Sequence, residues 1–231
     1  MKFIQRTLAV GPLACNCQIL VCPQTHEAVL VDPGDEPAKI LSELQKIENQ
    51  LGAKLKVKAL FHTHAHFDHI AATRKVKEHF TQAEALTENV PQIYLHPADQ
   101  MIYQMLPRQG EMFGLKFDET LPIDQFFADE QTLRFGTLKF TVIHTPGHSP
   151  GGVCFHLHSD SALAIPEMVF TGDTLFRESV GRSDLWGGNE TQLVQSIKRR
   201  LCTLDDETQA WPGHGPQTSI GHEKRKNPYL S

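Results

Sequence analysis

The sequence predicts an α/β fold in which two β-sheets are covered by helices, and three observations predict it. Apolar runs of strand length alternate with segments of helical period, an order of β-β-α-β character occurs twice, and each run closes on histidines and an aspartate at strand ends. A chain of 231 residues can bury a large core, and one domain spanning 1–231 is expected. No fixed-period repeat of solenoid type interrupts this pattern.

In the first half, residues 3–8, 18–22 and 28–31 read as strands, the last ending in the turn Asp32-Pro33-Gly34-Asp35. Ala38, Ile40, Leu41, Leu44 and Ile47 then recur at helical spacing before Gly52. Residues 57–61 form a buried strand leading into a histidine cluster, and 70–80 are again helical. After a polar stretch at 81–89, a strand is expected at 93–95 and a short helix at 97–105. Residues 106–128 have no clear period, and a long unpatterned loop is a candidate lid. The second half gives strands at 132–135, 138–143, 153–158 and 168–170, a helix at 191–201 and a last strand near Ala210.

Composition excludes several classes of function. With 22 basic against 27 acidic side chains the formal charge is -5, so nucleic acid would have to be held against a repulsive background and is not an expected partner. No apolar run approaches the ~20 residues of a membrane span, so a soluble protein without a membrane partner is expected. Cys15, Cys17, Cys22, Cys154 and Cys202 are an odd set without CxxC spacing, which fits reduced thiols in the cytoplasm. Lys2 and Arg6 before Leu8-Ala9-Val10 faintly resemble a secretory leader. Gly11-Pro12 cuts that apolar stretch short of the about 7–15 residues a leader needs, so an opening strand and turn are expected instead.

The strongest chemical signal is Thr63-His64-Ala65-His66-Phe67-Asp68-His69, between a predicted strand and a predicted helix. In extended backbone, residues two apart point to the same side, so His64 and His66 can grip one ion, while Asp68 and His69 fall where the chain turns and can face a second. A lone histidine is usually a satisfied structural residue. Burying four ligand-type side chains together without a cation would crowd like groups and leave an aspartate unpaired, at a cost of several kcal/mol. Three later segments supply further ligand types, each at the end of an apolar run beside a glycine: Thr145-Pro146-Gly147-His148, Phe170-Thr171-Gly172-Asp173 and Trp211-Pro212-Gly213-His214. Imidazole and carboxylate donors suit zinc first, with iron or manganese as alternatives.

On these residues the chain resembles the metallo-β-lactamase superfamily. The resemblance implies a four-layer αββα sandwich and two divalent metal ions. His64, His66 and His148 would hold one, Asp68, His69 and His214 the other, and Asp173 would bridge both. Asp68 and Asp173 are its expected catalytic carboxylates. Asn16-Cys17, Val31-Asp32-Pro33-Gly34, Met112-Phe113-Gly114-Leu115, Gly181-Arg182-Ser183-Asp184, Pro212-Gly213-His214-Gly215-Pro216 and Asn227-Pro228-Tyr229-Leu230 are similar to short bacterial type II glyoxalases, the hydroxyacylglutathione hydrolases. Longer members carry a C-terminal helical domain that supplies glutathione contacts, and this chain ends soon after its last ligand. Arg182 stands where those members place a glutathione-contacting lysine, which makes it a candidate substrate contact. Lys224 and Arg225, with Lys226, follow His214 closely and are candidates for a substrate carboxylate. His62 shares strand parity with His64 and His66, whereas His96 and His144 read as structural.

Two ions about 3.5–4 Å apart can hold a hydroxide at neutral pH and polarise an acyl oxygen. A thioester suits such a site because its thiolate, with a pKa of about 8.5, departs without a general acid, whereas an amide asks for a protonated nitrogen. The expected activity is therefore hydrolysis of a small glutathione thioester such as S-lactoylglutathione. The alternative is a persulfide dioxygenase, a mononuclear iron enzyme of the same fold that uses the His64, His66 and Asp173 positions.

Overall fold

The computed structural model describes residues 3–83 and 90–230; Lys2, the greater part of the polar stretch expected at 81–89, and Ser231 lie outside them. The first sheet has the order β1 (Ile4–Val10), β2 (Cys15–Val21), β3 (Glu27–Val31), β4 (Lys56–Phe61), β5 (Gln92–Leu95), β6 (Gln125–Phe126). β1 to β3 pair antiparallel and β3 to β6 parallel. The second sheet contains β7 (Thr132–Phe135), β8 (Leu138–His144), β9 (Val153–Leu157) and β10 (Met168–Gly172) as an antiparallel meander. A small hairpin, β11 (Leu175–Phe176) and β12 (Ser179–Val180), precedes β13 (Gln209–Pro212), which joins β10 in parallel, and β14 (Thr218–Ser219) closes the edge.

Strand alternation separates three apolar layers. Leu20, Val29, Val31, Ala59 and Phe61 of the first sheet meet Phe140, Val142, Phe155 and Phe170 of the second, with Phe61 in edge-on contact with Phe127 and Phe140. The opposite face of the first sheet, including Ile19, Val21, Ala28 and Leu30, packs on α1 (Pro37–Leu51) and α3 (Thr73–Ala83) through Ile40, Leu44, Ile47, Val76 and Phe80. The outer face of the second sheet, including Ile143, Cys154, Val169 and Ala210, packs on Leu193, Ile197 and Leu201. Helix, sheet, sheet and helix follow in that order, the αββα sandwich expected from the resemblance.

The period of α1 explains its placement, since Ile40, Leu44 and Ile47 form one buried stripe. Pro37 opens the helix, where a missing N–H costs nothing, and left-handed Gly52 ends it, donating to the Glu48 carbonyl. The helix expected at 191–201 has two parts: α6 (Glu190–Ser196), capped by the Asn189 side chain, and a wider π-turn over Ile197–Leu201. After α4 (Gln100–Gln104), the chain within 106–128 forms α5 (Leu106–Met112), with Pro107 in its first turn, and then runs irregularly to β6. Gly110 inside so short a helix hides its period from the sequence. No helix among the described residues is long and apolar enough to cross a membrane.

The carboxyl ends of β3, β4, β8, β10 and β13 reach one edge of the sandwich, and the loops leaving them carry the histidines and aspartates. Backbone bonds tie the sheets together there: Val153 N–H donates to the Thr63 carbonyl and Asn16 N–H to the Gly213 carbonyl, at 2.8 and 2.7 Å.

Candidate metal centre

Three groups of donor atoms converge at this edge, each group with its ligand atoms within 4.8 Å of one another: His64, His66 and His148; Asp68, His69 and His214; and His64, His69 and Asp173. All seven residues expected from the sequence are thus together. His64, His66, His69 and His148 are buried, while Asp68, Asp173 and His214 are partly open to solvent.

The local chain explains the convergence. After β4 the chain bends at Thr63 and His64, His66 follows in extended conformation, and the short helix α2 (Phe67–Ile70) then turns Asp68 and His69 toward the second group. At Gly213, a Cβ would lie 2.4 Å from Asp173 Oδ1 and 2.7 Å from His69 Cε1, so only glycine lets β13 pass that close.

Four imidazoles are fixed from behind. His148 Nδ1 lies 2.6 Å from the Arg182 carbonyl oxygen and His214 Nδ1 2.9 Å from that of Leu13. A carbonyl only accepts, so both Nδ1 atoms carry the proton and both Nε2 lone pairs face inward. The Thr63 hydroxyl donates to Asp32 Oδ2 and therefore accepts from His64 Nδ1, 3.0 Å away. His69 Nδ1 lies 3.0 Å from Asp32 Oδ2. This is how metal-binding histidines are usually oriented.

His214 Nε2 has Asp68 Oδ2 at 3.1 Å, but other inward atoms lack such a partner. Nε2 of His64 faces Nε2 of His148 at 3.1 Å, and Nε2 of His69 faces Nε2 of His214 at 3.3 Å. Opposed Nε2 lone pairs of His64 and His148 call for a cation between them, whereas at His69 and His214 the neighbouring carboxylates draw in the positive charge. Nε2 of His66 and Oδ1 of Asp173 are buried without a hydrogen-bond partner. Burial pushes His66 down to about 3 and His64 well below its ordinary value, so both are neutral donors at pH 7. Burial alone would also push His69 down, but Asp68, Asp173 and Asp32 pull it well above its ordinary value. Burial pushes Asp68 up, yet His69 and His214 hold its carboxyl well below the usual carboxylate range. The site thus draws in positive charge. Residues, tautomers and electrostatics fit a pair of divalent ions.

Three residues that sequence reasoning missed brace the loops. Asp99, fully buried, accepts from Ala65 N–H, the Ser149 hydroxyl and Gly151 N–H at 3.1, 2.8 and 2.6 Å, joining the loops of His66 and His148. Gln109 accepts from Phe67 N–H and donates to the Ala65 and Ile102 carbonyls. Asp32 was visible only as part of a turn motif, and nothing in the sequence marked Asp99 or Gln109.

A cavity of about 370 Å³ opens beside the cluster, lined by Leu13, Phe67, Phe113, Leu185, Trp186 and Arg182 in addition to cluster residues. Phe113, at the end of α5, packs on Phe67 with ring centroids 4.8 Å apart, which puts the start of the candidate lid on the cavity wall. Arg182 reaches the cavity, where its exposed guanidinium pairs bidentately with Asp184 at 2.7 and 2.8 Å. Lys224 and Arg225 do not line it. They sit on α7 (Ile220–Lys226) and both pair with Asp206, Lys224 at 2.5 Å and Arg225 at 3.4 Å. Both thus stand beside Asp206 rather than on the cavity wall.

His62 is buried, with Nε2 3.2 Å from the Thr73 hydroxyl, and is not among the converging donors. His96 and His144 stack on each other at 4.1 Å, outside the cluster. Burial pushes the Cys15 thiol up to about 12, so it stays protonated beside His69 at 3.5 Å.

An αββα sandwich with paired histidine-carboxylate pockets at the edge of its sheets defines a metal-dependent hydrolase class. Residues 10–214 match the family described as Metallo-beta-lactamase superfamily, and the chain belongs to it. Hydroxyacylglutathione hydrolase GloC of Haemophilus influenzae is 33% identical over 217 residues, covering 94% of this chain and 92% of that protein. Among solved structures, the BLEG-1 B3 metallo-beta-lactamase superimposes with a TM-score of 0.83 at 32% identity, covering 99% of this chain and 100% of that one. TTHA1623 in a di-iron-bound form gives 0.77 at 38% identity over 97% of this chain and 100% of that one. ETHE1 from Myxococcus xanthus gives 0.73 at 28% identity, with coverage of 97% and 83%.

Proposed function

We propose that this protein hydrolyses a small thioester, a glutathione thioester of the S-lactoylglutathione kind, with two divalent ions in the edge cluster. The observation that carries the proposal is the pair of complete ligand groups on either side of Asp173. Zinc suits the donors, and iron is supported by the di-iron form of TTHA1623. Such ions supply an acidified water and an electrophile for the acyl oxygen.

The protein's own part is to bind and orient. His64, His66 and His148 form one pocket and Asp68, His69 and His214 the other, while Asp173 stands between them. Leu13, Phe67, Phe113, Leu185 and Trp186 provide an apolar wall for the acyl and thiol portions. Arg182 can exchange Asp184 for a substrate carboxylate at little cost, because solvent screens an exposed ion pair. Beyond the ligands and Arg182, the described residues lining the cavity offer no ionisable group to protonate a leaving atom. A thiolate needs none, whereas an amine does. The likeness to GloC supports the same substrate class.

The mononuclear oxygenase reading requires only the His64, His66 and Asp173 positions. The complete group of Asp68, His69 and His214 speaks for the dinuclear hydrolase. The test compares S-lactoylglutathione hydrolysis with cleavage of a β-lactam and a phosphodiester, and with oxygen uptake on glutathione persulfide. Fastest turnover of the thioester is expected; faster turnover of the β-lactam or the persulfide would refute the assignment.

A further inference from the structure

A second group of metal-type donors lies on the outer face of the second sheet. Phe155 and Leu157 of β9 point into the core between the sheets, so His156 and His158 point together to the other side. Met168 pairs with Leu157, and continuing that register sets Glu167 opposite His158, with His156 on the neighbouring diagonal. The ligand atoms of His156, His158 and Glu167 lie within 4.8 Å of one another.

The three side chains are held so that one donor atom of each remains. His158 Nε2 lies 2.8 Å from the Thr141 hydroxyl, which leaves Nδ1 facing Glu167 Oε1 at 3.9 Å. Glu167 Oε2 accepts from Ser159 N–H at 2.7 Å, which leaves Oε1. His156 Nε2 lies 2.5 Å from that oxygen and is buried with no other partner. We propose that His156, His158 and Glu167 form a divalent-cation site of zinc type, independent of the edge cluster, that clamps the connection between β9 and β10. Two imidazoles and one carboxylate are a zinc donor set, and partial exposure of all three leaves room for water to complete the coordination.

The test counts zinc in the holoprotein by equilibrium dialysis, comparing the unaltered chain with His158→Ala and with the near-isosteric Glu167→Gln. One zinc equivalent fewer in each variant is expected, with unchanged thioester hydrolysis and a smaller rise of melting temperature on adding zinc. Equal zinc content in all three proteins would overturn the proposal and leave a plain histidine-glutamate contact. Should His158→Ala fold poorly, Glu167→Gln decides alone.

Discussion

The carboxylate of Asp32 stands 3.0 Å behind Nδ1 of His69 and, through the Thr63 hydroxyl, also governs the proton on His64 Nδ1. One buried residue at the end of β3 thereby orients an imidazole in each ligand pocket. Its backbone is left-handed, with φ 52°, a conformation that asparagine tolerates.

Asp32→Asn is therefore expected to fold but to bind metal about 10–100-fold more weakly, the usual effect of losing a partner behind a ligand histidine. Competition against a chelator of known affinity measures it, and unchanged affinity would remove Asp32 from this role.

Asp99→Ala should destabilise the fold by at least about 2 kcal/mol, because the N–H groups of Ala65 and Gly151 and the Ser149 hydroxyl would lose their buried acceptor. Urea unfolding reads this directly. A loss below ~0.5 kcal/mol would mean that water replaces the carboxylate.

Gly213→Ala forces a methyl group against Asp173 Oδ1 and His69 Cε1. The expected result is loss of bound metal and of activity with native circular dichroism retained. Full metal content would show that β13 can yield without disturbing the ligands.

These predictions mark what the sequence could and could not disclose. Strand parity and ligand spacing made His64, His66, Asp68 and His69 legible, and glycine-flanked ligands at strand ends pointed to His148, Asp173 and His214. Both features are local and leave a local trace. The bonds of Asp99 to the loops of His66 and His148 span 34 to 52 residues of chain, and those of Gln109 to Phe67 and Ala65 span 42 and 44; such partnerships have no periodicity to read. Nearness to His214 along the chain likewise says nothing of direction for Lys224 and Arg225, which α7 sets beside Asp206. The four-layer order came from the resemblance, whereas the strands themselves were visible as apolar runs.

His96 offers a pH-dependent test away from the ligands. Burial and the stacked His144 push it down to about 4, whereas an unfolded histidine titrates near 6.5. Between those values the unfolded chain binds the extra proton, so this contribution to stability is present above about pH 6.5 and is lost as pH falls toward 4. His96→Asn, which keeps an acceptor for Ala98 N–H, should show a shallower loss of urea stability between pH 7 and 5 than the unaltered chain. Parallel profiles would contradict it.

The central claim is that seven side chains meeting at one sheet edge hold two ions for thioester hydrolysis. Its most direct measurement follows metal content and S-lactoylglutathione hydrolysis together, while chelated protein is reloaded in steps, in a His158→Ala background that leaves the sheet-face group out of the count. Hydrolysis is expected to be absent without metal, to reach its maximum at two equivalents, and to be abolished with reduced metal content in Asp173→Ala. Full hydrolysis by the metal-free protein or by Asp173→Ala would contradict the account.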